Sequence, residues 1–79
     1  MSSPEKTYPN YLQRARKAHY LSQEDVAVLL KTTSQQISKW ETGKQMMGVD
    51  KYIILAKHYN LSVDYLLGLV DQPKPLYEE

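Results

Sequence analysis

The sequence predicts an all-α fold of five short helices, and three features support this prediction. Apolar residues recur at spacings of three and four, residues that favour helix starts and stops separate these stretches, and no strand-like alternation is present. The chain has 79 residues, enough for one small domain. We expect a flexible N-terminal arm over residues 1–9, a domain over residues 10–70 and a tail over residues 71–79.

The first two helices are predicted from their capping residues. Asn10 can cap a helix over residues 11–19, and Ser22 can cap a second helix. Asp25 follows Ser22 by three residues, which is the spacing of a capping box. The inward-facing apolar residues of the two helices are Leu12, Ala15, Val26, Leu29 and Leu30.

A third helix is predicted from Ser34 to Glu41, with Thr33 as its cap and Gly43 as its end. Ile37 and Trp40 point inward together. The outward and flanking positions are polar and carry one charge: Ser34, Gln35, Gln36, Ser38, Lys39 and Thr42.

Two further helices complete the prediction. A fourth runs over residues 49–59 and ends at Asn60, and a fifth runs over residues 63–67 between Ser62 and Gly68. In the fourth helix we expect Val49, Ile53 and Ala56 on the inner face, with Tyr52, Leu55 and Tyr59 close by.

The composition of the chain excludes several classes of function. The chain is 42% hydrophobic and 24% charged, carries a net charge of +1 and has no cysteine. Its longest apolar run spans five residues, far short of a membrane span, and we predict a soluble cytoplasmic protein without membrane partners. His19 and His58 lack ligand-spaced partners, and no nucleophile–base set is present. We therefore expect no enzyme activity, no metal and no cofactor.

The outer side of the third helix is the feature that indicates function. Solvated helices are usually dense in Glu and Lys, whereas this one offers short hydroxyl and amide groups. Gln can pair with adenine at two points, Ser can donate or accept, and Lys suits guanine or phosphate. The pattern fits the reading of base edges, although a merely polar surface helix would also fit.

Three segments at linked spacings resemble the lambda-repressor-like (Xre/Cro) helix-turn-helix family. They are LSQEDVAVLL at residues 21–30, TSQQISKWETGK at residues 33–44 and LAKHYNLSVDYLLG at residues 55–68. The resemblance covers residues 11–68. It implies a five-helix DNA-binding domain in which helices two and three form the DNA-reading unit.

The resemblance also implies roles for individual residues. Base contacts fall to Ser34, Gln35 and Lys39, and an ion pair is expected between Arg16 and Glu41. The implied partner is double-stranded DNA, and the resemblance implies a repressor that binds a near-palindromic site. Backbone or supporting contacts are expected from Gln23, Lys31, Thr33, Gln36, Ser38, Thr42 and Lys44.

The sequence departs from the family pattern in several places. Lys31 stands where a glycine usually ends helix two, so we expect a left-handed lysine there. Met47 and Gly48 replace a proline and a capping serine, which predicts a more mobile loop. Ala15 replaces a larger aliphatic residue, and Tyr20 is a candidate to fill that volume.

Seven tyrosines suggest a contact surface. Tyrosine suits interfaces because it has an apolar body and a polar tip. We predict a homodimer through the helix 4–5 region, using Tyr52, Tyr59, Tyr65 and residues 66–70, although tyrosines rimming a small core would give the same pattern. The low net charge and these tyrosines also leave open a protein-interaction module, such as an antitoxin or an inhibitor of another regulator.

Overall fold

The computed structural model describes residues 9–76, and this part of the chain folds into five helices without a strand. The all-α prediction is therefore confirmed. The predicted arm lies, apart from Pro9, outside the described residues, as do residues 77–79 of the predicted tail. The helices are α1 (Leu12–Ala18), α2 (Gln23–Leu30), α3 (Ser34–Glu41), α4 (Val49–Tyr59) and α5 (Val63–Leu66).

Side-chain caps start three of the helices. Ser22 and Asp25 form a capping box, in which Asp25 N donates to Ser22 Oγ over 3.0 Å and Ser22 N donates to Asp25 Oδ2 over 2.9 Å. The hydrogen bond that Ser22 N donates to the Asp25 carboxylate, with a smaller contribution from the Ser22 side chain, lowers the pKa of Asp25. Thr33 Oγ1 and Ser62 Oγ accept from the third backbone N–H of α3 and α5. The predicted caps of these helices are confirmed.

The start of α1 is tied to the end of α3 through Asn10. Its Oδ1 accepts a hydrogen bond from Leu12 N over 3.0 Å, and its Nδ2 donates to Trp40 O over 2.9 Å. The predicted helix from residue 11 is therefore one residue too long at this end. The Trp40 carbonyl was not foreseeable as a partner because it lies 30 residues away.

Helix α4 buries a different face from the one predicted. Val49 and Ile53 are 70% and 45% exposed, so their assignment to the inner face is wrong. The buried stripe consists of Tyr52, Leu55, Ala56 and Tyr59. Burying two tyrosine rings removes more apolar surface from water than burying Val49 and Ile53 would.

The core lies between all five helices, and α2 packs closely on α3. Tyr52, Tyr59 and Tyr65 are each 4% exposed or less, so they belong to this core and cannot form the predicted dimer contact. The remaining buried apolar residues are Leu12, Ala15, Val26, Ala27, Leu30, Ile37, Met47, Leu55, Ala56 and Leu66.

Left-handed residues connect the helices. Lys31 and Asn60 have φ values of 57° and 53°, as predicted. Tyr20 also has a positive φ, 58°, and its side chain is 96% exposed. The expectation that Tyr20 fills space beside Ala15 is therefore wrong, and Ala15 is buried without it.

The two ends of the described chain pack on α5. Tyr11 N donates to Leu66 O, and the Tyr11 ring stacks on Tyr65 with centroids 5.1 Å apart. Gly68 has a φ of 81°, and a Cβ there would lie 3.1 Å from backbone atoms of Asn10 and Pro9. A side chain at this position would force these segments apart. On the C-terminal side, Ser62 N donates to Lys74 O over 2.8 Å.

Candidate nucleic-acid interface

Helices α2 and α3 are joined by a three-residue turn. The left-handed Lys31 ends α2, and Thr32 N returns a hydrogen bond of 2.9 Å to Ala27 O. Thr33 is extended and caps the next helix. A lysine in this conformation costs roughly 1 kcal/mol relative to glycine, and its exposed side chain places a cation beside the turn.

Helix α3 is anchored by one face and exposed on the other. Ile37 is 3% exposed, and Trp40 packs against the core. Gln35 and Lys39 are exposed, and Ser34 is half-buried beside them. The three residues expected to contact bases therefore share the start and outer side of α3.

A buried ion pair between Arg16 and Glu41 connects α1 to the end of α3. Arg16 Nε lies 2.6 Å from Glu41 Oε2, and the two side chains are only 10% and 4% exposed. Arg16 Nη1 also donates to Leu21 O over 2.7 Å. Glu41 Oε1 accepts a further hydrogen bond from Gln23 Nε2 over 3.1 Å. The network thus joins α1, the start of α2 and the end of α3.

Gln23 has a role that the sequence reasoning missed. It was expected to contact phosphate, and in the structure one of its amide N–H groups is donated to Glu41. An amide nitrogen has two N–H groups, so the other can still reach a ligand. Glu41 is 18 residues away from Gln23, so local sequence patterns could not predict this hydrogen bond. One indirect signal was present in the sequence, the expected pairing of Glu41 with Arg16.

The remaining predicted contact residues line the turn and the end of α3. Lys31 and Lys44 are exposed, which leaves one cation before α3 and one after it. The hydroxyl groups of Thr33 and Thr42 are used locally: Thr33 Oγ1 accepts from Gln36 N, and Thr42 Oγ1 donates to Ser38 O over 2.8 Å. Between the starts of α2 and α3 lies an open groove of about 560 Å³ that includes Gln23 and Ser34.

A family model described as helix-turn-helix matches residues 12–66, which include all five helices. The chain belongs to the helix-turn-helix family. The resemblance found in the sequence is thereby confirmed, and α2 and α3 are the two helices that give the family its name. Members of this family are typically not enzymes.

A curated helix-turn-helix relative is the uncharacterized HTH-type transcriptional regulator YobD of Bacillus subtilis (strain 168). The two sequences are 38% identical over 71 residues, which cover 90% of this chain and 63% of that protein. This chain therefore spans less than two thirds of the relative's length. No solved structure matches.

Residues 9–76 of this helix-turn-helix chain provide little support for a metal site, a membrane-spanning helix or a buried ligand cavity. In that segment no three His, Cys, Asp or Glu side chains are grouped so that they could hold a metal ion. None of its helices has the length and apolar character needed to cross a bilayer. A core cavity of about 10 Å³ beside Tyr59 and Glu41 has room for no more than a water molecule.

Tyr59 is the core residue with an unusual environment. Its buried hydroxyl has no hydrogen-bond partner within the described residues. Burial, reinforced by the negative charge of Glu41 and opposed by Arg16, raises the pKa of Tyr59 to about 12. The His19 ring stacks on it with centroids 4.6 Å apart.

Proposed function

We propose that this chain binds double-stranded DNA in a sequence-specific way and acts as a transcriptional regulator, most simply a repressor. The observation that carries the proposal is the outer face of α3, where Gln35 and Lys39 are exposed on a helix locked at both ends. A helix of this family that presents amide, hydroxyl and ammonium groups suits the major groove. We also propose a cytoplasmic location, since the relative is a bacterial protein and bacterial DNA lies in the cytoplasm.

The proposed contacts divide into two kinds. Ser34, Gln35 and Lys39 read base edges, because they lie at the start and outer side of α3. Lys31 and Lys44 contact phosphates on either side of α3, since both are exposed cations at its flanks. Phosphate contacts set affinity and register, whereas base contacts set sequence preference. Gln23, Thr33, Gln36, Ser38 and Thr42 support these contacts.

Lys44→Ala tests the phosphate part of the proposal. Removing one phosphate contact should weaken binding to every duplex alike and reduce the slope of log K against log salt by about 1. The measurement is a titration of a fluorescent random-sequence duplex at several salt concentrations. Lys57→Ala, which removes an exposed lysine on α4, is the matched control. An unchanged slope in Lys44→Ala, or an equal loss in Lys57→Ala, would contradict the assignment.

We also propose that two copies bind a near-palindromic site with half-sites about one helical turn apart. The tyrosines that first suggested a dimer are core residues, so the proposed contact now rests on apolar side chains that remain exposed near α4 and α5. Ile53, Ile54 and Leu69 are 45%, 39% and 71% exposed. The symmetry of a selected binding site tests this proposal.

The protein-interaction alternative is not favoured. It was supported by the low net charge and by a tyrosine-rich face. The second support is lost because Tyr52, Tyr59 and Tyr65 are buried. The family match and the regulator name of the relative support DNA as the partner.

A further inference from the structure

A hydrogen bond between two glutamine side chains links α3 to the loop that follows it. Gln36 Nε2 donates to Gln45 Oε1 over 2.8 Å, across nine residues of sequence. Gln36 lies in the first turn of α3 and is half-buried, and Gln45 lies beyond the end of the helix and is exposed. The loop therefore returns along the helix far enough to touch its first turn.

Other hydrogen bonds fix the backbones of both glutamines. Gln36 N donates to Thr33 Oγ1, the cap of α3. Gln45 N donates to Lys39 O over 3.3 Å, and Lys44 N donates to the same carbonyl over 3.0 Å. Beyond Gln45, Met47 is 3% exposed and anchors the loop in the core. Because the backbones are fixed, only side-chain rotations remain to be ordered.

We propose that Gln45 is a positioning residue that orients the Gln36 side chain to bind an adenine. Gln36 then contacts a base rather than the DNA backbone. This inference rests on the proposed function, in which α3 lies in the major groove. A glutamine amide offers one oxygen and two N–H groups. Pairing with adenine uses the oxygen and one N–H. The second N–H is then free to donate to Gln45.

The bond to Gln45 also favours one orientation of the Gln36 amide. A free glutamine amide on a surface can rotate by half a turn and exchange its oxygen with its nitrogen. While Gln45 keeps this orientation, its Oε1 accepts only from the Gln36 nitrogen, so a Gln36 amide that rotated alone would lose the hydrogen bond. Gln45 would have to rotate with it to restore the bond. The bond therefore favours the orientation in which the Gln36 oxygen is available to accept from the adenine amino group.

The experiment is a double-mutant cycle on the duplex that the wild-type protein selects. Affinities are measured for wild type, Gln36→Ala, Gln45→Ala and the double variant, on that duplex and on duplexes with each A·T pair changed in turn. Gln36→Ala should lose about tenfold in affinity, with the loss of preference confined to one A·T pair. Gln45→Ala should lose about threefold at the same pair, and the double variant should be no weaker than Gln36→Ala.

Two further variants separate positioning from simple loop stability. Gln45→Glu keeps an acceptor oxygen and should restore the preference at that A·T pair, even though its charge weakens binding to all duplexes. Gln13→Ala, an exposed glutamine of α1, is the matched control and should behave as wild type. Circular dichroism checks that each variant is folded.

The proposal is overturned if the two alanine losses add, or if Gln45→Ala weakens all duplexes alike with an unchanged base preference. Both results leave the proposed function standing, because wild type still discriminates between sequences. Absence of any sequence preference in the wild-type protein would instead overturn the proposed function together with this inference.

Discussion

The buried Arg16 guanidinium contacts two other parts of the chain directly and is linked to a third through Glu41. It pairs with Glu41, bonds the Leu21 carbonyl and lies one hydrogen bond away from Gln23 through Glu41. A buried charge pair contributes little net stability, but removing one partner leaves the other charge buried and unpaired. The pair therefore matters mainly for holding α1, α2 and α3 in one relative position.

Glu41→Ala should destabilise the fold by about 3–5 kcal/mol, because it leaves the Arg16 guanidinium buried without its counter-ion. The measurement is the free energy of unfolding from urea denaturation. Asp50→Ala is the control, since Asp50 is 75% exposed and lies 3.9 Å from Lys51, and its loss should cost no more than about 1 kcal/mol. Equal costs for the two variants would show that burial does not matter here.

Tyr59 should make the fold sensitive to alkaline pH. Its pKa is raised to about 12, whereas that of a tyrosine in the unfolded chain is about 10. Between these values the unfolded chain loses the proton and the folded protein keeps it. The contribution of Tyr59 to the free energy of unfolding should be constant below pH 10 and fall by about 1.4 kcal/mol per pH unit from there up to pH 12.

Tyr59→Phe isolates this effect, because it removes the hydroxyl and keeps the ring. A buried hydroxyl without a partner costs about 1–3 kcal/mol, so the variant should be at least as stable as wild type at pH 7. The difference between the two proteins should widen above pH 10. Parallel stability curves from pH 8 to 12 would contradict the assigned pKa.

At the scale of elements, the connecting turns carry conformational strain. Tyr20 and Lys31 are left-handed, and neither residue type favours that region, whereas Asn60 tolerates it. Tyr20→Gly should raise the free energy of unfolding by about 0.5–1 kcal/mol, the gain being partly offset by the greater freedom of glycine in the unfolded chain.

Thermal and urea unfolding measure this gain, and Asn60→Gly is the matched control, with a smaller change expected. Tyr20 is 96% exposed, so its replacement removes almost no packing that could mask the effect. A loss of stability in Tyr20→Gly would show that the exposed ring or its conformation is stabilising after all.

The helices also show which structural features could be predicted from the sequence. The caps of α2, α3 and α5 were predictable because Ser22, Thr33 and Ser62 accept hydrogen bonds from backbone N–H groups only three residues away. The buried face of α4 was not, since Val49, Tyr52 and Ile53 are all apolar and their spacing fits two faces equally well. Only packing against the other helices decides between these faces.

The same distinction applies to the candidate site. The outer face of α3 and the Arg16–Glu41 pair could be placed from the sequence together with the family resemblance. The Gln36–Gln45 bond and the Asn10–Trp40 bond could not, because each depends on how a loop or a chain end folds back. Local patterns specify helices, whereas these contacts need the assembled fold.

At the scale of the whole molecule, a net charge of +1 gives little general attraction to DNA. In the proposed complex, Lys31 and Lys44 supply phosphate contacts and therefore affinity, and Ser34, Gln35 and Lys39 supply sequence preference. Two copies on a palindrome would double both contributions, so the symmetry of the site and its base preferences are properties of the complete assembly.

Binding-site selection from random duplexes, with wild type and Gln35→Ala in parallel, tests this account most directly. Wild type should enrich a near-palindromic site with half-sites about one turn apart, and Gln35→Ala should lose preference at one base position per half-site, at a cost of about 1–3 kcal/mol there. An unchanged preferred sequence in Gln35→Ala, or no enriched sequence with wild type, would contradict the reading of DNA by the outer face of α3.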